Sequence, residues 1–180
     1  MTDVFDLPIL QWMQSNIRFD GFTGFWQVMT FFGNKAWFWI ALSALLIIIP
    51  GTRKRMGLPA AISLAITGGI NSLLIKPVVG RIRPFYYTYA IVPLGELPDS
   101  YSFTSGHTCV AFAVALILLK ADKRIGVPAV IFASLISFSR MYLGHHYPTD
   151  VICGFLLGFA VSSVVWFFWS RTRFYQEDRG

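Results

Sequence analysis

The stretch Ser139-Arg140-Met141-Tyr142-Leu143-Gly144-His145-His146-Tyr147-Pro148-Thr149-Asp150 lies between two apolar runs, 125–143 and 151–169. It puts an arginine, two histidines and a carboxylate where one hydrophobic segment ends and the next begins. Ionisable groups at such a position in a membrane chain face a cavity or a water-lined site. Spacing separates the two histidines. If a helix starts near His146, Asp150 is four residues on and shares its face, whereas His145 points roughly 140° away. A carboxylate on one ring nitrogen fixes the tautomer and prepares the other nitrogen to attack or to take a proton. The same residues also suit a simple polar cap on a helix beginning at Pro148.

Outward from this stretch the chain is apolar. It has 180 residues, 55% of them hydrophobic and 13% charged, which excludes an ordinary water-soluble domain. Five runs read as transmembrane helices: 36–49, 58–75, 105–119, 125–143 and 151–169. The last is uncharged and long enough to cross a hydrocarbon core of roughly 30 Å. The expected fold is all-α, a polytopic transmembrane bundle of five clear spans, with a sixth if 22–32 also crosses. Residues 1–35 read as an N-terminal region of interfacial or re-entrant helices, and 36–180 as the bundle, in a single domain overall. Leu7, Leu10, Met13 and Ile17 recur at helical spacing among polar residues, the pattern of an amphipathic helix lying on the membrane. Cys109 and Cys153 both fall in apolar runs and are expected to be free thiols.

Basic residues set the orientation. Arg53, Lys54 and Arg55 follow the first run, Lys120, Lys123 and Arg124 the third, and Arg171 and Arg173 the last. The positive-inside rule places those ends in the cytoplasm and the segments 76–104 and 145–148 on the opposite side. Trp37 and Trp39 at the outer end, with Trp166 and Trp169 at the inner end, suit interfacial aromatic belts. Gly154 and Gly158 form a small-xxx-small pair for close helix packing, and Gly68, Gly69, Asn71 and Ser72 give the second run a polar, tight-packing face. The net charge of +6 is divided among short loops and polar motifs, so phospholipid and an anionic substrate explain it better than nucleic acid does. No obligate protein partner is implied.

Two further polar clusters fall on the same side as the first. Lys76, Arg81 and Arg83 gather where the positive-inside rule disfavours cations, and a bound phosphate or a lipid headgroup explains them. The stretch Ser102-Phe103-Thr104-Ser105-Gly106-His107-Thr108 opens an apolar helix. Ser105 or Thr104 can cap it, Gly106 allows close backbone approach, and the free N–H groups of the first turn suit an anion. His107 is placed there to give a proton to a leaving oxygen. Arg140, in the last turn of its span, is either a dipole partner or a further phosphate ligand. The inventory is that of phosphoryl transfer through a covalent intermediate, with charge stabilised by cations and a helix end. His107, His145, His146 and Asp150 as zinc ligands is the competing arrangement, disfavoured by the excess of Arg and Lys.

Lys76, six residues, Arg83-Pro84, then Ser105-Gly106-His107, then Ser139-Arg140, five residues, His146, three residues, Asp150 resembles the three-part signature of the type 2 phosphatidic acid phosphatase (PAP2) superfamily. Thr104 stands where that family usually has Pro, which bears on loop rigidity rather than on a ligand. The resemblance implies a helical bundle related to the vanadium haloperoxidases but without metal or other cofactor. It implies His146 as nucleophile, Asp150 orienting it, and His107 as general acid and then base. Lys76, Arg83, Ser105, Gly106 and Arg140 would hold the phosphate. Arg81 and His145 lie outside the signature. The expected protein is therefore a phosphatase of the bacterial plasma membrane, acting at its outer face on a lipid phosphate or diphosphate such as undecaprenyl diphosphate or phosphatidylglycerophosphate. A non-hydrolytic transporter or binding protein for phosphate-bearing lipids, and peroxidase chemistry on bound vanadate, are the alternatives.

Overall fold

The structure, a computed structural model, describes residues 2–51 and 53–172, and every regular element among them is helical. A π-helical turn, Thr2–Asp6, leads into α1 (Leu7–Asn16), followed by α2 (Asp20–Gly33), a 3-10 turn (Asn34–Ala36) and α3 (Trp37–Ile48). Next come a π-helical turn (Arg53–Gly57), α4 (Leu58–Gly69), a π-helical stretch (Ile70–Ile75) and the short α5 (Lys76–Val79) and α6 (Pro84–Tyr87). Three long helices follow: α7 (Gly106–Ala121), α8 (Lys123–Tyr142) and α9 (Pro148–Trp169).

The bundle is assembled around α7. This helix is apolar on all sides and its residues from Thr108 to Ala115 are all buried, the signature of a core helix rather than a lipid-facing one. At 16 residues it is about 24 Å long, shorter than a hydrocarbon core of roughly 30 Å. The helices α4, α8 and α9 pack on it. Gly154 and Gly158 allow α9 to approach: a Cβ at Gly158 would lie 2.6 Å from the Cys109 carbonyl oxygen, and one at Gly154 would lie 3.0 Å from that of Ser105. The small-xxx-small pair thus presses α9 against the start of α7. Cys109 and Cys153 are free.

Among the described residues, four helical segments are long and apolar enough to cross a membrane, with α7 as a shorter fifth. The first of the four departs from expectation. The expected span 36–49 is half of a 29-residue apolar helical segment, Asp20–Ile48, and 22–32 is its other half. Alone, α3 would cover only about 18 Å. The segment descends along α8: Phe19 exchanges hydrogen bonds with the Tyr142 hydroxyl, while Phe32 and Phe38 pack on Phe132 with ring centres 5.4 and 5.0 Å apart. It breaks where Lys35 (φ 49°) and Ala36 (φ 57°) adopt left-handed backbone, a region costly for residues with a Cβ.

The break relocates two tryptophans. Trp39 is buried in the core beside Phe38, and Trp37 stacks on Phe31 and Phe32 while donating its indole N–H to the Phe31 carbonyl. Trp39 is therefore a core residue rather than an interfacial anchor. The amphipathic α1 is anchored to the rest of the chain: Leu10 packs with Ile91 and Tyr147, so part of its apolar stripe covers the loop above the site. Gln14 and Arg18 fasten it there by hydrogen bonds to Ala90, Val92 and Tyr142. At the opposite end of the bundle Arg55 reaches the Ala121 carbonyl and Lys120 reaches Ser163 of α9, so the basic ends of the runs do gather at one end. Arg173 lies outside the described residues, as do the side chains of Arg53 and Lys54.

Candidate functional site

The three polar clusters converge at the end of the bundle distal to those basic residues, around a cavity of about 870 Å³. The π-helical stretch after α4 matters here, since such insertions commonly mark functional sites. Asn71, Ser72 and Lys76, in or just after it, all line the cavity. The polar, tight-packing face expected on the second run is thus partly a cavity wall, with Gly68 also on it.

From α5 and the turn after it come two cations that grip the incoming loop. Lys76 donates to the Ser100 hydroxyl (3.0 Å) and the Tyr101 carbonyl (2.5 Å). Arg83 donates from Nε to the Ser100 carbonyl (2.6 Å) and from Nη1 to the His145 carbonyl (2.8 Å). Its guanidinium is 3% exposed, so it is a buried cation aimed at the cavity.

The loop 102–105 then enters α7. Ser105 is the N-cap: its hydroxyl accepts from the Thr108 amide (3.4 Å) and hydroxyl (3.0 Å), leaving the Gly106 and His107 residues at the open first turn. Thr104 is held by donating to Asn71 Oδ1 at 2.7 Å, so a hydrogen bond restrains the loop where the resemblance expects a proline ring. The Ser105 amide donates to the Asp150 carbonyl at 3.1 Å and ties the second cluster to the third.

His146 stands two residues before α9 and not on it, which corrects the helical-face argument while preserving its outcome. Asp150 is the third residue of α9, and its carboxylate folds back over the first turn to accept the Tyr147 amide at 3.0 Å, a capping arrangement. The same oxygen, Oδ2, lies 3.3 Å from His146 Nδ1 and also accepts the Ser102 hydroxyl. His146 Nε2 is 3.2 Å from Arg83 Nη1. A guanidinium only donates, so Nε2 must be the accepting nitrogen and the ring proton belongs on Nδ1, toward Asp150. Burial, followed by Arg83, Arg140 and Lys76, holds His146 well below the usual imidazole range, so the ring is a neutral base with its lone pair on Nε2.

His145 is not turned away from the site. It is 1% exposed, it lines the cavity, and neither ring nitrogen has a hydrogen-bond partner among the described residues. Burial and the neighbouring Arg140 and Arg83 push it down to about 3, an effect that the adjacent Leu94 backbone only partly opposes. Arg140 is buried on the cavity wall, and its guanidinium bonds the Thr30 hydroxyl of α2.

His107 faces the same cavity from α7, with Nε2 3.0 Å from Asn34 Oδ1. The broken span explains that contact, because Asn34 opens the 3-10 turn between α2 and α3. Gly33 is essential to it, since a Cβ there would sit 2.3 Å from His107 Cδ2. Sequence reasoning singled out neither Asn34 nor Thr30, and it gave Ser102 no role. All eight expected site residues are therefore within one arrangement: His146 and Asp150 in contact, His107, Lys76, Arg83, Gly106 and Arg140 on the cavity wall, and Ser105 capping α7 behind it. No three His, Cys, Asp or Glu side chains among the described residues are gathered where they could hold a metal ion.

Comparison with known proteins gives this arrangement a lineage. The sequence pattern of the PAP2 superfamily is matched across residues 56–174, nearly two thirds of the chain. The chain belongs to the PAP2 superfamily. It is 36% identical over 72% of its length to an undecaprenyl-diphosphatase of Sulfolobus acidocaldarius, and 36% identical over 70% to the undecaprenyl-diphosphatase BcrC of Bacillus subtilis. It spans under two thirds of those relatives' own length, 62% and 65%. Among solved structures it resembles LpxE of Aquifex aeolicus (25% identity, 89% of this chain and 93% of that one, TM-score 0.76). It also resembles a transmembrane PAP2-type phosphatidylglycerolphosphate phosphatase of Bacillus subtilis (26% identity, 92% and 86%, TM-score 0.72). This PAP2 chain is thus an all-α membrane protein of the family's fold, with the signature residues Lys76, Arg83, Gly106, His107, Arg140 and His146 lining its cavity.

Proposed function

We propose that the protein is a membrane phosphatase that hydrolyses a lipid phosphate or lipid diphosphate through a phosphohistidine. The carrying observation is His146, with Nδ1 toward Asp150 and Nε2 toward Arg83 at the cavity. The Nε2 lone pair attacks phosphorus as the bond to the leaving oxygen breaks, and Arg83 Nη1 exchanges the ring nitrogen for a phosphoryl oxygen. His107 gives its proton to the leaving oxygen. Asp150 stabilises the cationic ring that results. In the second half His107 takes a proton from water, the water oxygen attacks phosphorus, the P–N bond breaks, and inorganic phosphate leaves with His146 restored. Lys76, Arg83, Arg140 and the first turn of α7 at Gly106 supply the positive potential for the equatorial oxygens, which is where most of the acceleration in phosphoryl transfer arises.

The substrate class follows from the walls. The cavity joins these cations to apolar Phe31, Ile40 and Leu64, which suits a phosphate headgroup carrying a long hydrocarbon. Similarity to two undecaprenyl-diphosphatases favours a prenyl diphosphate, and the structural likeness to a phosphatidylglycerolphosphate phosphatase makes a glycerophospholipid phosphate the competing substrate. The gathering of Arg55, Lys120 and Arg171 near the other end supports a site on the extracytoplasmic side of the plasma membrane. The test is phosphate release from a panel of prenyl diphosphates and glycerophospholipid phosphates by the purified protein in detergent. Release with preference for the prenyl substrates is expected. Stoichiometric binding without release would favour a lipid carrier and refute hydrolysis.

A further inference from the structure

Asp6 is a carboxylate with no solvent exposure, placed just before α1 and outside all three polar clusters. A buried carboxylate is retained only where cations and donors satisfy it. Here its Oδ2 accepts Arg81 Nη2 at 2.5 Å and the Thr149 hydroxyl at 2.7 Å, and its Oδ1 accepts the Thr149 amide at 2.9 Å. Arg81 spans two carboxylates, because its Nη1 donates to Asp150 Oδ1 at 2.6 Å. Its guanidinium also lies 3.9 Å from the centre of the Tyr147 ring.

The two oxygens of Asp150 are therefore divided. Oδ1 belongs to Arg81, and Oδ2 serves His146, the Tyr147 amide and Ser102. Arg81 fixes the rotation of the carboxylate that fixes the imidazole. An arginine beside Asp150 would by itself cancel the negative potential His146 needs when it becomes cationic. Asp6 shares that arginine, so the trio carries one net negative charge next to the ring.

We propose that Asp6 and Arg81 are positioning residues of the reaction, acting through Asp150 to orient His146 and to preserve the negative charge that supports it. This rests on His146 being the nucleophile. Attachment of the N-terminal turn is thereby coupled to catalysis, since Asp6 brings the only part of the sequence before α1 that reaches this network among the described residues.

The experiment compares Asp6→Asn, Arg81→Ala and the double variant in detergent, using a lipid phosphate substrate that the wild-type protein turns over, with His146→Ala as reference. Asp6→Asn should lower kcat 10- to 100-fold, a range set by outer-shell partners of functional groups, with KM within about twofold. The acid limb of kcat/KM should move to lower pH in Asp6→Asn, where an anion is lost, and to higher pH in Arg81→Ala, where a cation is lost. The double variant should lose less than the product of the two single losses, because much of the effect of Asp6 passes through Arg81. Arg81→Lys keeps the charge but cannot fork to both carboxylates, and should also lose kcat; it decides the matter if Asp6→Asn does not assemble. Unchanged kcat in Asp6→Asn and Arg81→Lys, losses that multiply in the double variant, or acid limbs that move together would overturn the proposal. If His146→Ala itself retained full turnover, the reading of the site would have failed instead.

Discussion

Replacing Gly33 by alanine tests how the broken span serves the site. The added Cβ would meet His107 Cδ2 at 2.3 Å, Ile136 Cγ2 at 2.9 Å and His107 Cγ at 3.1 Å. Carbon atoms settle at about 3.5 Å or more, so the imidazole must retreat by roughly 1.2 Å or α2 must shift by as much. Either movement separates His107 Nε2 from Asn34 Oδ1, now 3.0 Å away. A displacement of that size commonly costs about 10²-fold in rate, and general acid help as a whole is worth about 10² to 10⁴. The expected result is a fall in kcat of at least 10²-fold on a lipid phosphate, whose alkoxide leaves poorly unprotonated, and a much smaller fall on an aryl phosphate such as p-nitrophenyl phosphate. Overpacking costs about 1–3 kcal/mol of stability, so both rates are to be measured well below the melting temperature. Equal losses on the two substrates, or an unimpaired rate on the lipid, would refute the assignment of His107 as the acid and of Gly33 as the residue that makes room for it.

Stability should fall on acidification because of His145. Its folded ring takes a proton only near pH 3 while the unfolded chain takes one near 6.5, so its contribution is complete above pH 6.5 and is lost as pH falls toward 3, by up to about 1.4 kcal/mol per pH unit. Thermal melts in detergent between pH 7 and 4 should therefore decline less steeply for His145→Gln than for wild type, and identical slopes would contradict this. Thr104→Val leaves buried Asn71 Oδ1 without its 2.7 Å donor and should cost about 1–3 kcal/mol, read as a lowered melting temperature; no change would show the bond to be dispensable. Activity should survive exhaustive chelation, since Lys76, Arg83, Arg140 and the α7 terminus bring the positive charge. Loss on chelation with specific recovery on adding zinc or magnesium would contradict that.

Much of the site was legible in the sequence because its parts are local. The contact of His146 with Asp150 and the capping of α7 by Ser105 each span four residues or fewer, and short spacings translate directly into geometry. The helical-face argument reached the right pair for an incomplete reason: Asp150 bends back from inside α9, and its capping of the Tyr147 amide is what places it. What stayed hidden depends on long-range packing. Asn34 meets His107 across 73 residues, and Asp6 meets Thr149 across 143; no local pattern marks either partner. The start of the first span was placed at 36 because the polar pair Asn34-Lys35 reads as its boundary, whereas the apolar helical segment Asp20–Ile48 runs through that pair with a break at two left-handed residues. Trp39 was expected at the membrane interface, and tertiary packing on Phe132 claimed it for the core instead.

The central claim is that His146, and not its neighbour, carries the phosphoryl group. The direct measurement is acid- and base-controlled quenching of the protein with phosphorus-labelled lipid substrate, followed by mapping of the labelled peptide. Label is expected on His146, acid-labile and alkali-stable as a phosphohistidine is, absent from His146→Ala and still formed in His145→Ala. Label on His145, or undiminished label in His146→Ala, would contradict the account.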